Sequence, residues 1–326
     1  MTDLSRRDLF QVAVGSVMLG KLAGAGLSQP ALELAATAGA SGGQPATGAA
    51  AAGGAAGGPR RIRKALKWGM IGEGSTVEEK FRLARDCGFD GVEMDSPNDL
   101  DPDEVLAAKA ATGLEIPGVV DSVHWAKPLS HPDAAVRAEG VAALRTALRD
   151  CRTYGGDSVL LVPAVVSKQV SYADAYVRSQ ACIREVLPLA RELGVRIAIE
   201  NVWNNFLLSP LEAARYTDEL DPEVCGWHFD VGNIVAYGWP EQWIEVLGER
   251  IRRLDVKEYS RRKLDDEGRW AGFGVELLEG DCDWPAVMRA LDAVPYTGGW
   301  MAAEVRGGGA ERLRDVAERM DRIIAS

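Results

Sequence analysis

From residue 66 to its end the chain alternates short apolar runs with longer segments of helical character, eight times over. This pattern constrains the fold more than any single motif. Strands joined through helices pair in parallel, and a parallel sheet needs both faces covered. The apolar runs are residues 66–71, 91–95, 116–125, 158–162, 195–200, 226–230, 252–258 and 300–305. Helices are expected between them, the first opened by Ser75 or Thr76 and closed by Gly88. Later ones span 101–113, 133–154 and 173–193, open at Ser209-Pro210, span 240–248, begin near Trp284-Pro285, and run from Glu311 onward. Eight strand–helix units make a closed (β/α)₈ TIM barrel the natural architecture, with an open doubly wound sheet as runner-up. No GxGxxG or P-loop sequence supports a nucleotide-binding version of that alternative.

The first 59 residues stand outside the pattern. They hold three basic residues (Arg6, Arg7, Lys21) and three acidic ones (Asp3, Asp8, Glu33) among abundant Ala and Gly. Ser5-Arg6-Arg7-Asp8-Leu9-Phe10, followed by a moderately apolar, glycine-rich stretch to Leu27, resembles a twin-arginine export signal. A plain amphipathic helix with a chance Arg pair is the alternative. The expected division is an export signal over 1–38, an Ala/Gly-rich linker over 39–63 and the barrel over 64–326. The expected location is the periplasm or another exported site, with membrane contact only during export.

The formal net charge is −11, carried entirely by the residues after the first 59. A surface this acidic repels nucleic-acid phosphates, and the densest basic run, 252–263, is interrupted by Asp255 and Glu258. The five cysteines show no CxxC pair and read as small core residues, not as a disulfide framework or zinc site.

In a (β/α)₈ barrel the polar residues ending the strands face the active site. Four carboxylates stand there: Glu200 ends strand five, Asp230 strand six, Asp255 lies in strand seven and Glu304 ends strand eight. Gathered together they would be driven to protonate unless a cation were present, and an oxygen-rich set suits a hard divalent ion. A nearby histidine leans that choice toward Mn²⁺, with Mg²⁺, Co²⁺ and Zn²⁺ as alternatives. Period-two alternation turns His228 to the same side as Asp230, and Lys257 to the same side as Asp255, leaving Glu258 structural. His124 and Trp125, at the end of strand three, are candidates for touching substrate.

At these residues the chain resembles the xylose isomerase-like TIM-barrel superfamily of sugar isomerases and epimerases, over about 64–324. The carrying segments are Ile199-Glu200-Asn201-Val202-Trp203-Asn204, Phe229-Asp230-Val231-Gly232-Asn233, Val256-Lys257-Glu258, and Leu278-Glu279-Gly280-Asp281 with Asp283-Trp284. The nearest branch is that of L-ribulose-5-phosphate 3-epimerase and hexulose-6-phosphate isomerase. The resemblance implies a divalent metal on Glu200, Asp230, position 255 and Glu304; the family usually has His at the third of these, where this chain has Asp255. It further implies proton transfer by Glu200 and Glu304 through a metal-stabilised enediolate, with His124, Trp125, Asn233 and Lys257 around the sugar. An exported member would act on an unphosphorylated sugar or keto-sugar. Competing readings are a metal-dependent lyase or dehydratase, and a non-catalytic sugar-binding protein. The partner expected is a small carbohydrate and no nucleic acid; an oligomer is compatible with each reading.

Overall fold

A computed structural model describes residues 60–326; the expected export signal and residues 39–59 of the expected linker lie outside the described residues. Eight parallel strands close into a barrel: β1 (Arg63–Lys67), β2 (Gly91–Ser96), β3 (Gly118–Asp121), β4 (Ser158–Leu161), β5 (Arg196–Glu200), β6 (Cys225–Asp230), β7 (Ile251–Val256) and β8 (Trp300–Ala303). Each pairs with its sequence neighbour, and β8 returns to β1 with Ala65 opposite Ala302. The helices are α1 (Val77–Asp86), α2 (Pro102–Thr112), α3 (Ala134–Tyr154), α4 (Tyr172–Leu193), α5 (Pro210–Asp218), α6 (Gly232–Val235), α7 (Pro240–Leu247), α8 (Arg261–Glu267), α9 (Trp284–Ala293) and α10 (Ala310–Ala325). No helix among the described residues is long and apolar enough to cross a membrane.

Local chemistry sets the helix ends. Thr76 and Glu79 form a capping box at α1, and Asp101 with Pro102 opens α2. Four strands end two or more residues before the apolar runs suggest, among them β8, which stops at Ala303 and leaves Glu304 just beyond it. β1 stops at Lys67 and turns through a tight helical turn at Trp68–Met70. β3 stops at Asp121, whose carboxylate accepts the Val123 N–H and so folds the chain into a turn. β7 stops at Val256, placing Lys257 and Glu258 just beyond it. Beyond β1, Met70 and Ile71 are buried outside the sheet, which periodicity does not distinguish from a strand.

One large apolar cluster lies between the barrel and its helices, and Ala65, Trp300 and Ala302 form a separate small cluster. Gly91 is required beside it, because a Cβ there would lie 2.8 Å from the Trp300 indole. All five cysteines are free thiols, four of them buried. Burial pushes the thiols of Cys151 and Cys225 up to about 12.

Candidate metal and acid–base centre

Glu200, Asp230, Asp255 and Glu304 each offer an oxygen, all within 4.8 Å of one another. They come from the ends of four successive strands, so the staggered register of the barrel gathers residues up to 104 positions apart. The first three are buried, and Glu304 keeps 29% of its side chain exposed. Asn201 braces the floor, donating to the Asp230 carbonyl at 2.7 Å and accepting the Asp230 N–H at 3.0 Å.

Two lysines enter this centre. Lys257 Nζ lies 2.7 Å from Asp230 Oδ2 and 3.5 Å from Glu304 Oε1. Lys67 Nζ lies 2.8 Å from Asp255 Oδ2 and also pairs with Glu93. Burial opposes both ammonium charges, but the surrounding carboxylates win and raise both pKa values. His228 Nε2 lies 2.9 Å from Asp255 Oδ1, and burial together with Lys67 pushes the imidazole down to about 3, so it is neutral at pH 7. Burial and neighbouring carboxylates raise Asp230 to about 6 and Asp255 to about 7, against the pull of the lysines. Burial and Glu304 hold Glu200 well above the usual carboxylate range. Burial works in the same direction on Glu304, but Lys257 and Lys67 outweigh it and hold this carboxyl down at about 2.

These residues fit a divalent cation. Five carboxylates, Glu93 included, face two ammonium groups and a neutral imidazole, so that full ionisation would leave three negative charges uncompensated without a cation. Asp230 Oδ2 and both Asp255 oxygens have ion-pair neighbours yet make no hydrogen bond of good geometry. Buried oxygens in that condition are what a hard cation satisfies.

The other expected site residues fall in different places. His124 is buried, its Nδ1 accepting the Val162 N–H at 3.2 Å, while Trp125 beside it is 47% exposed. Asn233 is buried; its N–H donates to Asp230 Oδ1, its side-chain amide to the Asn201 carbonyl, and its own carbonyl accepts from Trp203 Nε1. Lys257, expected at sugar hydroxyls, is engaged by Asp230 and Glu304 instead. His228 belongs to a deeper group with Glu93 and Asp255, and not to the set of four carboxylates. Glu258 is structural: it accepts from Leu278 N, Cys282 N and Trp284 Nε1. Lys67 and Glu93 were not anticipated. Lys67 is the one charge in the run 66–71, but Glu93 shares the run 91–95 with Asp95, and neither Lys67 nor Glu93 ends its run.

Residues 81–324 match the family model described as xylose isomerase-like TIM barrel. The chain belongs to that family. A curated relative of this xylose isomerase-like barrel, the L-ribulose-5-phosphate 3-epimerase UlaE of Salmonella typhi, is 28% identical over 170 residues, covering 49% of this chain and 60% of the relative. The chain thus matches about three-fifths of the length of that relative. Among solved structures, an L-ribulose 3-epimerase superposes with TM-score 0.66 at 17% identity, over 81% of this chain and 95% of the other. The Escherichia coli 3-keto-D-glucoside 4-epimerase YcjR superposes with TM-score 0.67 at 16% identity, over 81% and 100%. The IOLI protein with a bound zinc atom does so with TM-score 0.67 at 16% identity, over 81% and 98%. At these identities the superpositions establish the fold. A larger cavity of about 400 Å³, lined by Leu106, Lys109 and residues 113–115, lies before the start of β3, away from the carboxylates.

Proposed function

We propose that this chain is a metal-dependent isomerase or epimerase acting on an unphosphorylated sugar or keto-sugar. The observation that carries the reading is the pair Glu200 and Glu304. They rise from the ends of β5 and β8, three strands apart in the closed barrel, with Asp230 and Asp255 on the strands between them. Moving a proton between the two faces of a carbon beside a carbonyl needs two such groups, one to remove it and one to return it. Before any cation binds, the lysines keep Glu304 ionised while burial favours the protonated form of Glu200, so the two carboxyls differ in proton affinity. A divalent ion held by Glu200, Asp230, Asp255 and Glu304 would supply Lewis acidity to the substrate's carbonyl and adjacent hydroxyl oxygens, and Mn²⁺ is the favoured identity. Lys257 holds Asp230 and Glu304 in register, and Asn201 with Asn233 fixes the floor beneath them. The names of the relatives support an epimerase, since UlaE, the L-ribulose enzyme and YcjR are all described as such.

We also propose that the protein is exported, on the strength of Arg6-Arg7 and the apolar stretch after them; that reading steers the substrate away from cytoplasmic sugar phosphates. Metal analysis of the purified protein, with a D₂O-exchange screen over ketoses before and after chelation, tests the enzymatic reading, and fractionation of cells expressing the chain with Arg6-Arg7 intact or changed to Lys-Lys tests export. Chelator-sensitive exchange of a carbon-bound hydrogen is expected, and Glu304→Gln should slow it by about 10²-fold or more. Formation of an unsaturated product would identify a lyase instead, and full exchange in Glu304→Gln would overturn the acid–base assignment.

A further inference from the structure

Above the carboxylates, the loops after β5 and β7 build an aromatic wall that the proposed chemistry does not use. Trp203 is its centre. Its ring stands 4.8 Å from Phe273, 5.0 Å from Trp270 and 5.5 Å from Tyr259, centroid to centroid. The Arg269 guanidinium lies 4.5 Å over the Trp203 ring and 5.3 Å over Trp270. A cavity of about 270 Å³ opens against this wall, lined by Val202, Trp203, Asn205, Leu208, Tyr237 and Arg269.

The cavity lies close to the carboxylate centre, joined to it by packed side chains. Lys257 Nζ, paired with Asp230 and Glu304, lies 5.7 Å from the Phe273 ring, which in turn packs on Trp203. Tyr237 lies near enough to feel the Asp230 charge, which adds to burial in pushing its hydroxyl up to about 12. Large apolar groups are left exposed here: Trp270 at 56%, Leu208 at 57% and Tyr237 at 49%. The loop over residues 205–208, which borders the cavity, is also tied down. Asn205 and Leu207 are held at φ 59° and 54°, a left-handed conformation costly for leucine, and the loop's N–H groups are tied to the Asn204, Tyr172 and Glu212 side chains. Among the described residues Arg269 makes no ion pair, so its donors remain available to hydroxyls at the rim.

We propose that this cavity is a second sugar subsite, so that the substrate is a glycoside whose second ring stacks on the aromatic wall while the first lies at the carboxylates. Drug-sized ligands occupy cavities of roughly 300–1,000 Å³, so this one suits a single ring. Aromatic faces receive the apolar C–H face of a sugar, while Arg269, Tyr237 and Asn205 offer polar contacts to its hydroxyls. This inference rests on the carboxylates being the reacting centre for a sugar.

Calorimetric titration of the Mn²⁺-loaded full chain tests it, using cellobiose, maltose and lactose, each against the methyl glycoside of its non-reducing sugar. At least one disaccharide should bind about tenfold tighter than its methyl glycoside. Arg269→Ala and Trp270→Ala should each cut that ratio toward one, and both side chains are exposed, so the fold should tolerate their loss. The subsite is overturned if no disaccharide exceeds its methyl glycoside, or if the ratio ignores both substitutions. A gain confined to phenyl β-D-glucoside, or competition by inorganic phosphate, overturns it equally. The contrast is read from binding. D₂O exchange without the contrast would refute only the subsite, and the contrast without exchange would refute only the epimerase reading.

Discussion

At Asp255 one oxygen faces the Lys67 ammonium and the other the His228 imidazole, so the side chain is gripped from below before any ion arrives. A carboxylate braced in that way presents itself in one orientation, which is how a neighbouring shell tunes a ligand. Glu200, Asp230 and Glu304 were legible in the sequence because each ends an apolar run, and a charge there has few structural uses. Lys67 was not, since a lysine after an apolar run ordinarily extends to water along its own methylenes. His228 was placed inward by alternation alone, but its partner depended on the stagger between β6 and β7. Gly232 shows the same closeness. A Cβ there would lie 2.7 Å from the Lys257 backbone, so Gly232→Ala should displace Lys257 and Asp230 together. We expect a loss of about 1–3 kcal/mol in unfolding free energy, together with weaker Mn²⁺ binding by titration. Unchanged metal affinity would show that the site tolerates the shift.

Among the elements, the segment 277–284 is fastened to the barrel by one buried side chain. Glu258 takes three N–H groups from it, and Gly280 fits closely against both the Tyr259 carbonyl and the Glu258 side chain. Glu258→Ala strands those donors in a dry environment. Denaturant unfolding should lose about 3 kcal/mol or more, and a loss below about 1 kcal/mol would mean that water replaces the carboxylate. The outward turn of Glu258 was readable from alternation along β7, because Asp255 and Lys257 take the other face. The limit of β1 was not readable, as Met70 and Ile71 beyond it are as apolar as residues within it, and the limit of β3 depended on the turn set by Asp121. The His124 position follows from this: the turn set by Asp121 ends β3 before the histidine.

For the molecule as a whole, the metal-free barrel carries carboxyls that prefer to be neutral. Asp230 and Asp255 titrate above their unfolded values, so the stability they contribute is present at low pH and is lost as pH rises through about 6 to 7. His228, neutral when buried, works the other way up to about pH 6.5 but is outweighed by the two carboxyls. The melting temperature of chelated protein should therefore fall between pH 5 and pH 8, and added Mn²⁺ should raise it more at pH 8 than at pH 5. A melting temperature flat across that range and indifferent to Mn²⁺ would remove the cation from the account. The barrel itself was the most legible feature, since eight repetitions of one unit leave little choice of closure. The cysteines bear on where such a barrel can live. Its five cysteines are free thiols, those of Cys151 and Cys225 pushed far from their reactive form, so the described barrel is held by its packed core and not by disulfides. The same folded molecule can persist in a reducing or an oxidising compartment, and passage between the two would not require its cross-links to be remade.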